Sequence, residues 1–189
     1  MPSPRALVAL VFVLLLVTVG PASPYRSPIS LNESAAFGDI RTLMTAQEVY
    51  AANNGGREFY TADPRCLTTP SSCLPGYAAT APTFLDAAVL APGPRQGYVR
   101  TLHAGPAATP AQVKELKLAP FSVTCFAVTA VPLRPVSGTA GGLAGCFVEK
   151  PTGVRGFCGD CSGRICYTDD GSAPAVKDGR CEPCPKPYP

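Results

Sequence analysis

Three observations in the sequence predict an α+β fold, with one long N-terminal amphipathic helix packed on an antiparallel sheet of about four strands. A single segment, 30–53, carries apolar residues at helical period; the second half of the chain holds short runs rich in aromatic and β-branched residues; and all nine cysteines lie beyond residue 65. A helix and a sheet each present an apolar side, and laying one on the other buries both. The 189 residues suffice for one domain with its own core. With 22 Pro and 18 Gly, turns and extended loops are abundant, and the prolines after residue 60 exclude an all-helical bundle. A hydrophobic share of 46% excludes general disorder. The net charge of +3 is spread without basic runs, so the electrostatic footprint of a nucleic-acid binder is missing.

At the N-terminus, Arg5 is followed by twelve apolar residues, Ala6 to Val17, and by the small-residue stretch Gly20-Pro21-Ala22. This pattern reads as an export signal cleaved after Ala22. The other reading is an uncleaved membrane anchor, although a spanning helix wants about 20 apolar residues and Pro21, Pro24 and Pro28 interrupt its continuation. Both readings place the rest of the chain outside the cytoplasm: periplasmic, at the cell surface or secreted, either released or anchored in the inner membrane. The chain divides into residues 1–22, a Pro-rich linker at 23–29, a globular domain at 30–180 and a Pro/Cys-rich tail at 181–189. Cysteines at this density in an exported domain are most simply structural disulfides, with one left over from the odd number.

In the helix, Ala36, Ile40, Leu43, Met44, Gln47, Tyr50 and Ala51 recur at three- and four-residue steps. Ser30 and Glu33 have the spacing of a capping box. Asn53-Asn54-Gly55-Gly56 supplies residues that tolerate the left-handed conformation at a helix end. Gly38 costs the helix about 1 kcal/mol relative to Ala. The sequon Asn32-Glu33-Ser34 falls on the helix and reads as coincidence.

Residues 57–95 read as loop-rich, with one short apolar piece at 84–90. Strand-like runs follow at 97–104, 121–131, 153–158 and 163–168, each bounded by Gly or Pro. Segments 105–120 and 135–152 read as Pro- or Gly-rich insertions, and the prolines of 183–189 exclude helix and inner strand. The last two runs form a hairpin whose register is legible. With Cys158 opposite Cys166, the connection is Cys161-Ser162-Gly163, with Gly where φ must be positive. The same register pairs Phe157 with Tyr167, Asp160 with Arg164 and Arg155 with Asp169. Directly opposed residues come within disulfide reach, so Cys158–Cys166 is the expected bridge, with Cys66–Cys73 closing a second small loop. That loop is the expected variable contact surface.

The segment Asn32-Glu33-Ser34-Ala35-Ala36-Phe37-Gly38-Asp39-Ile40-Arg41-Thr42, with Ala46-Gln47 and Tyr50 after it, resembles the periplasmic half of the helix in bacterial type IV pilins and type II secretion pseudopilins. Gly97-Tyr98, then Phe126-Ala127-Val128-Thr129-Ala130 with Pro132, then Gly153-Val154-Arg155-Gly156-Phe157-Cys158 with Asp160, Ser162-Gly163 and Ile165, resemble that family's strands in order. The usual prepilin leader is absent: residues 1–20 contain no acidic residue and only Gly20 as glycine. The resemblance implies a helix-on-sheet head and a structural role, as a subunit of a cell-surface or secretion-associated assembly. Its partners would be other pilin-like subunits or secretion-system proteins. The expected assembly face is Ala36, Ile40, Leu43, Gln47 and Tyr50, part covering the sheet and part meeting neighbours.

Other chemistry is weighed against this reading. Cys158-x2-Cys161 and, 19 residues later, Cys181-x2-Cys184 have zinc-ribbon spacing. The same CxxC pairs offer a thiol-redox reading, which wants a helix after the first cysteine; turn and strand residues follow instead. Asp169, Asp170 and Asp178 offer oxygens to calcium without a recognisable ligand pattern. His103, the only histidine, reads as an edge or turn-proximal residue rather than half of a Cys–His pair. No serine stands in a nucleophile-elbow context. The expectation is a protein without catalytic residues, cofactor or metal. An exported disulfide-rich binding module on a pilin-like fold that does not assemble, and a zinc-binding or thiol-redox protein using the CxxC pairs, stand as alternatives.

Overall fold

The computed structural model describes residues 28–56, 58–133 and 152–188. The signal or anchor at 1–22, the linker up to residue 27, most of the 135–152 insertion and Cys146 within it lie outside the described residues. Helix α1 spans Pro28–Asn53. Pro28, read from sequence as linker, is its first residue, where a missing N–H is harmless and the ring pre-sets the helical φ. Ser30 therefore sits inside the helix, and Glu33 closes no capping box. Its Oε1 instead accepts the backbone N–H groups of Val154 and Arg155, both at 3.1 Å.

Beyond α1 come β1 (Tyr60–Thr61), α2 (Arg65–Thr68), β2 (Tyr98–Ala104), α3 (Pro110–Leu116), β3 (Ser122–Val123) and β4 (Phe126–Pro132). The C-terminal part holds β5 (Gly156–Asp160), β6 (Ile165–Thr168), β7 (Val176–Lys177), β8 (Arg180–Cys181) and β9 (Lys186–Pro187). The main sheet is antiparallel with five strands in the order β2-β4-β5-β6-β9. β1 pairs with β3, and β7 with β8. Beyond the helix, the expected strand at 121–131 is split into β3 and β4, which lie in different sheets, and two further segments depart from the sequence expectation. The segment at 105–120 contains α3, started by a capping box between Thr109 and Gln112 with Pro110 in its first turn. The segment at 181–189 is no separate tail, because β9 adds the fifth strand, at the edge where proline is tolerated.

Strand residues alternate between the two faces of the sheet. Phe126, Val128 and Ala130 of β4, Phe157 of β5 and Ile165 of β6 join Ala36, Ile40, Leu43, Ala46 and Tyr50 of α1 in one core. Burying each of the larger of these side chains contributes roughly 1.5–3 kcal/mol. The helix packs closely over Gly159 of β5. A Cβ there would lie 2.5 Å from both Ile40 Cγ2 and Met44 Sδ, so the absent side chain is what lets α1 settle.

Polar groups lock the same interface. Gln47, fully buried, donates from Nε2 to Thr61 O and accepts from Thr61 N at Oε1, both at 2.9 Å. It thus ties β1 to the helix as a neighbouring strand would. Asn54 accepts from Ala119 N at 2.8 Å and donates to Phe59 O and Ser122 Oγ, holding the end of α1 against β3. Asp39 accepts from Arg100 Nη1 at 2.5 Å and lies 3.6 Å from Arg95 Nη1, so one carboxylate joins α1 to β2.

Replacing Gly159 with Val is expected to lower the unfolding free energy by about 2 kcal/mol, because a branched side chain enters a filled site. Urea titration checks this. An unchanged midpoint would show that α1 does not rest on that position.

Candidate functional site

The chemistry-bearing residues collect on the face of the sheet away from α1. On β5, Phe157 and Gly159 point to the helix, so Cys158 and Asp160 point to the opposite face. The register there is the expected one: Cys158 opposite Cys166 and Phe157 opposite Tyr167. Gly163 takes φ +79° in the turn, and Arg155 Nε lies 3.8 Å from Asp169 Oδ1. The expected Cys158–Cys166 bridge is not formed. The bridges are Cys158–Cys181 and Cys166–Cys184, with sequence separations of 23 and 18. Both sulfurs of the opposed pair project from one face, and the returning C-terminal segment brings a partner to each. In the chain-entropy account each longer loop is worth about 3 kcal/mol, so two such bridges constrain the unfolded chain more than one bridge across a tight hairpin. Cys66–Cys73 is bonded, and Cys125–Cys161 joins the loop before β4 to the hairpin turn.

Each of the four sulfurs of the zinc and thiol readings, at Cys158, Cys161, Cys181 and Cys184, is bonded to another cysteine, and neither CxxC pair is bridged within itself. The calcium candidates are not assembled either. Asp169 pairs with Lys186 and Arg155, Asp170 Oδ1 accepts from Ser172 N and Oγ, and Asp178 takes φ +49° in the turn between β7 and β8. Among the described residues no group of three or more His, Cys, Asp or Glu is placed to hold a metal ion.

The residue that organises this face is Asp160, which sequence reasoning placed only as a charge partner for Arg164. Its carboxylate is buried and turned the other way. Oδ1 accepts from Ser162 N at 2.9 Å and Ser162 Oγ at 2.5 Å, and Oδ2 accepts from Cys181 N at 2.8 Å. One side chain fixes both the hairpin turn and the strand that crosses behind it. The signal was present in the Asp-x-Ser spacing of a turn, but the third bond needs the fold. Next to the staple Ala127, Cys158, Cys166 and Cys181 form a small second core.

His103 lies on β2, at the edge of the sheet, with Nε2 2.9 Å from Thr129 Oγ1, and burial lowers its pKa below the usual histidine value. Burial raises the hydroxyls of Tyr50 and Tyr60 to about 12, the latter helped by Glu48, and raises Tyr98 as well. These shifts follow from packing: Tyr98 donates to Arg155 O at 2.9 Å and Tyr60 to Glu48 Oε1 at 3.2 Å.

The expected assembly face is corrected. Ala36, Ile40, Leu43, Gln47 and Tyr50 are all buried in their own chain, leaving none of them for a neighbour. The opposite side of α1 is the uncovered one, with Leu31 52% and Val49 41% exposed. At the end of the sheet, Phe37, Phe157, Tyr167 and Tyr188 stack together, with Arg41 over Phe37 and Arg155 over Tyr167, so the last residues are packed on α1. Asn32 Nδ2, the atom a glycan would take, donates to Thr152 O at 2.8 Å.

Comparison with protein-family models, characterised proteins and solved structures gave no significant match. Four disulfides place the domain in an oxidising environment, and no described helix is long and apolar enough to cross a membrane.

Replacing Asp160 with Ala strands the buried Cys181 N–H and frees the turn, an expected loss of about 3 kcal/mol. Chemical denaturation of the oxidised protein measures it. A loss within error would remove Asp160 from this role.

Proposed function

We propose that this chain is an exported, non-catalytic structural protein, a pilin- or pseudopilin-like subunit of a cell-surface or secretion-associated assembly. A long N-terminal helix laid along an antiparallel sheet, with the strands following it in the order the resemblance implies, supports the pilin-like head. The non-catalytic role is supported by where the reactive groups are spent: eight cysteines are in bridges, the histidine engages Thr129, and Asp160 holds a turn.

The observation that carries the reading is the outer side of α1. Leu31, Ser34, Gly38, Thr42, Thr45 and Val49 are exposed along it, on the side opposite the core. The middle of this row, Ser34, Gly38, Thr42 and Thr45, is small enough to let a neighbouring helix approach to the short end of the usual 8–10 Å range. Leu31 and Val49 add apolar contact at its two ends. Small side chains along the solvent side of α1 support packing by a neighbouring helix there. Its neighbours are other pilin-like subunits or secretion-system proteins.

A photo-crosslinking residue in place of Thr45, in the full chain within the producing cell, tests this. The expected result is a crosslink to a second pilin-like subunit or to a secretion component, and sedimentation with that assembly. Recovery only as a free, uncrosslinked species would overturn the assembly role and favour an exported binding module.

A further inference from the structure

The two edges of the main sheet are built differently. The β9 edge is two residues long, Lys186–Pro187, and follows Pro185, so it is short, charged and poor in N–H donors. The β2 edge is seven residues long, Tyr98–Ala104, without proline or lysine. Its pairing with β4 puts Gly97 opposite Leu133 and Gly105 opposite Cys125 in hydrogen-bonded positions, with Leu133 N donating to Gly97 O and Gly105 N to Cys125 O. Because such positions alternate along an antiparallel pair, Val99, Thr101 and His103 bond to β4 and the even-numbered residues turn their N–H and C=O outward. Tyr98 confirms the phase: its outward groups exchange both bonds with Arg95, at 2.9 and 3.0 Å. That leaves Arg100, Leu102 and Ala104 with backbone donors and acceptors that no described residue takes up.

We propose that β2 pairs antiparallel with β2 of a second copy of this chain, joining two five-stranded sheets edge to edge about a two-fold axis at Leu102. The register is set by the open groups themselves. Centred on Leu102, Arg100 stands opposite Ala104 of the other copy and Leu102 opposite Leu102, so every open N–H and C=O finds a partner. Centring on Arg100 would set Leu102 opposite Tyr98, whose outward groups Arg95 already takes, and would leave Ala104 unpaired. Centred on Leu102, the odd-numbered side chains put Thr101 against His103 of the other copy, with no charge clash. Addition stops at two copies because the contact is isologous and the β9 edges left at either end do not accept a strand. A second copy brings a strand that is already extended and ordered, whereas a free peptide would lose chain entropy on adding to the edge. The contact uses none of the α1 surface and does not depend on which assembly the exported chain joins.

Amide hydrogen exchange by NMR on the full exported chain, from low to high micromolar concentration, tests the pairing alongside sedimentation equilibrium. The expected result is a mass that doubles with concentration, while exchange at Leu102 and Ala104 slows about tenfold or more and Thr101 and His103 stay protected throughout. Ala104→Pro deletes one outward N–H without removing a β2–β4 bond, and is expected to give a monomer at every concentration. A monomeric wild-type chain, or a dimer in which Leu102 N–H still exchanges freely, overturns the proposal without reference to any variant.

Discussion

The five-stranded sheet buries apolar residues on both faces, and the described residues hold one long helix with which to cover them. α1 takes the face that carries Phe126, Val128 and Phe157. The other face, with Ala127, Cys158 and Cys166, is left to the C-terminal segment, whose proline content bars it from forming a helix. A short irregular segment buries too little surface to stay in place by packing alone. Two bridges to β5 and β6, and one buried carboxylate on the N–H of Cys181, hold it there. Tyr188 at the end of the same segment stacks on Phe37 of α1 at 4.3 Å. The bridged segment therefore touches both layers.

The rest of the interior is tied together by polar groups that replace missing secondary structure. β1 and β3 are two-residue strands, too short to persist alone. Gln47 and Asn54 supply from the helix the backbone partners that a longer ladder would provide, and Cys66–Cys73 closes the turn that follows. The loop-rich stretch nevertheless contributes Leu67, Leu74 and Leu85 to the core.

Local periodicity and local pairing were legible in the residues. The buried side of α1 follows from its three- and four-residue steps, and the hairpin register follows from the aromatic pair, the opposed charges and the turn glycine, all close together in the chain. Partnerships that need the chain to return were not legible. Cys158 looked complete with Cys166 because nothing local shows that 181–184 crosses behind β5. Asp160 looked like a partner for Arg164 for the same reason. Pro28 was read as a breaker although the first turn of a helix accepts it, and the Thr109-Pro110-Ala111-Gln112 signature of α3 was present but lay in a segment dominated by loop residues. The inner side of α1 was correctly taken as apolar and wrongly offered to a neighbour, since the sheet consumes it entirely.

The domain is stapled at its C-terminal segment, and no described residue covers the outer side of its helix or the β2 edge. Its architecture rests on the C-terminal segment being bonded to the sheet, and peptide mapping of the unreduced protein by mass spectrometry addresses that most directly. The account predicts linked peptides joining Cys158 to Cys181 and Cys166 to Cys184. A linked peptide joining Cys158 to Cys166, with Cys181 and Cys184 bonded to each other, would contradict it.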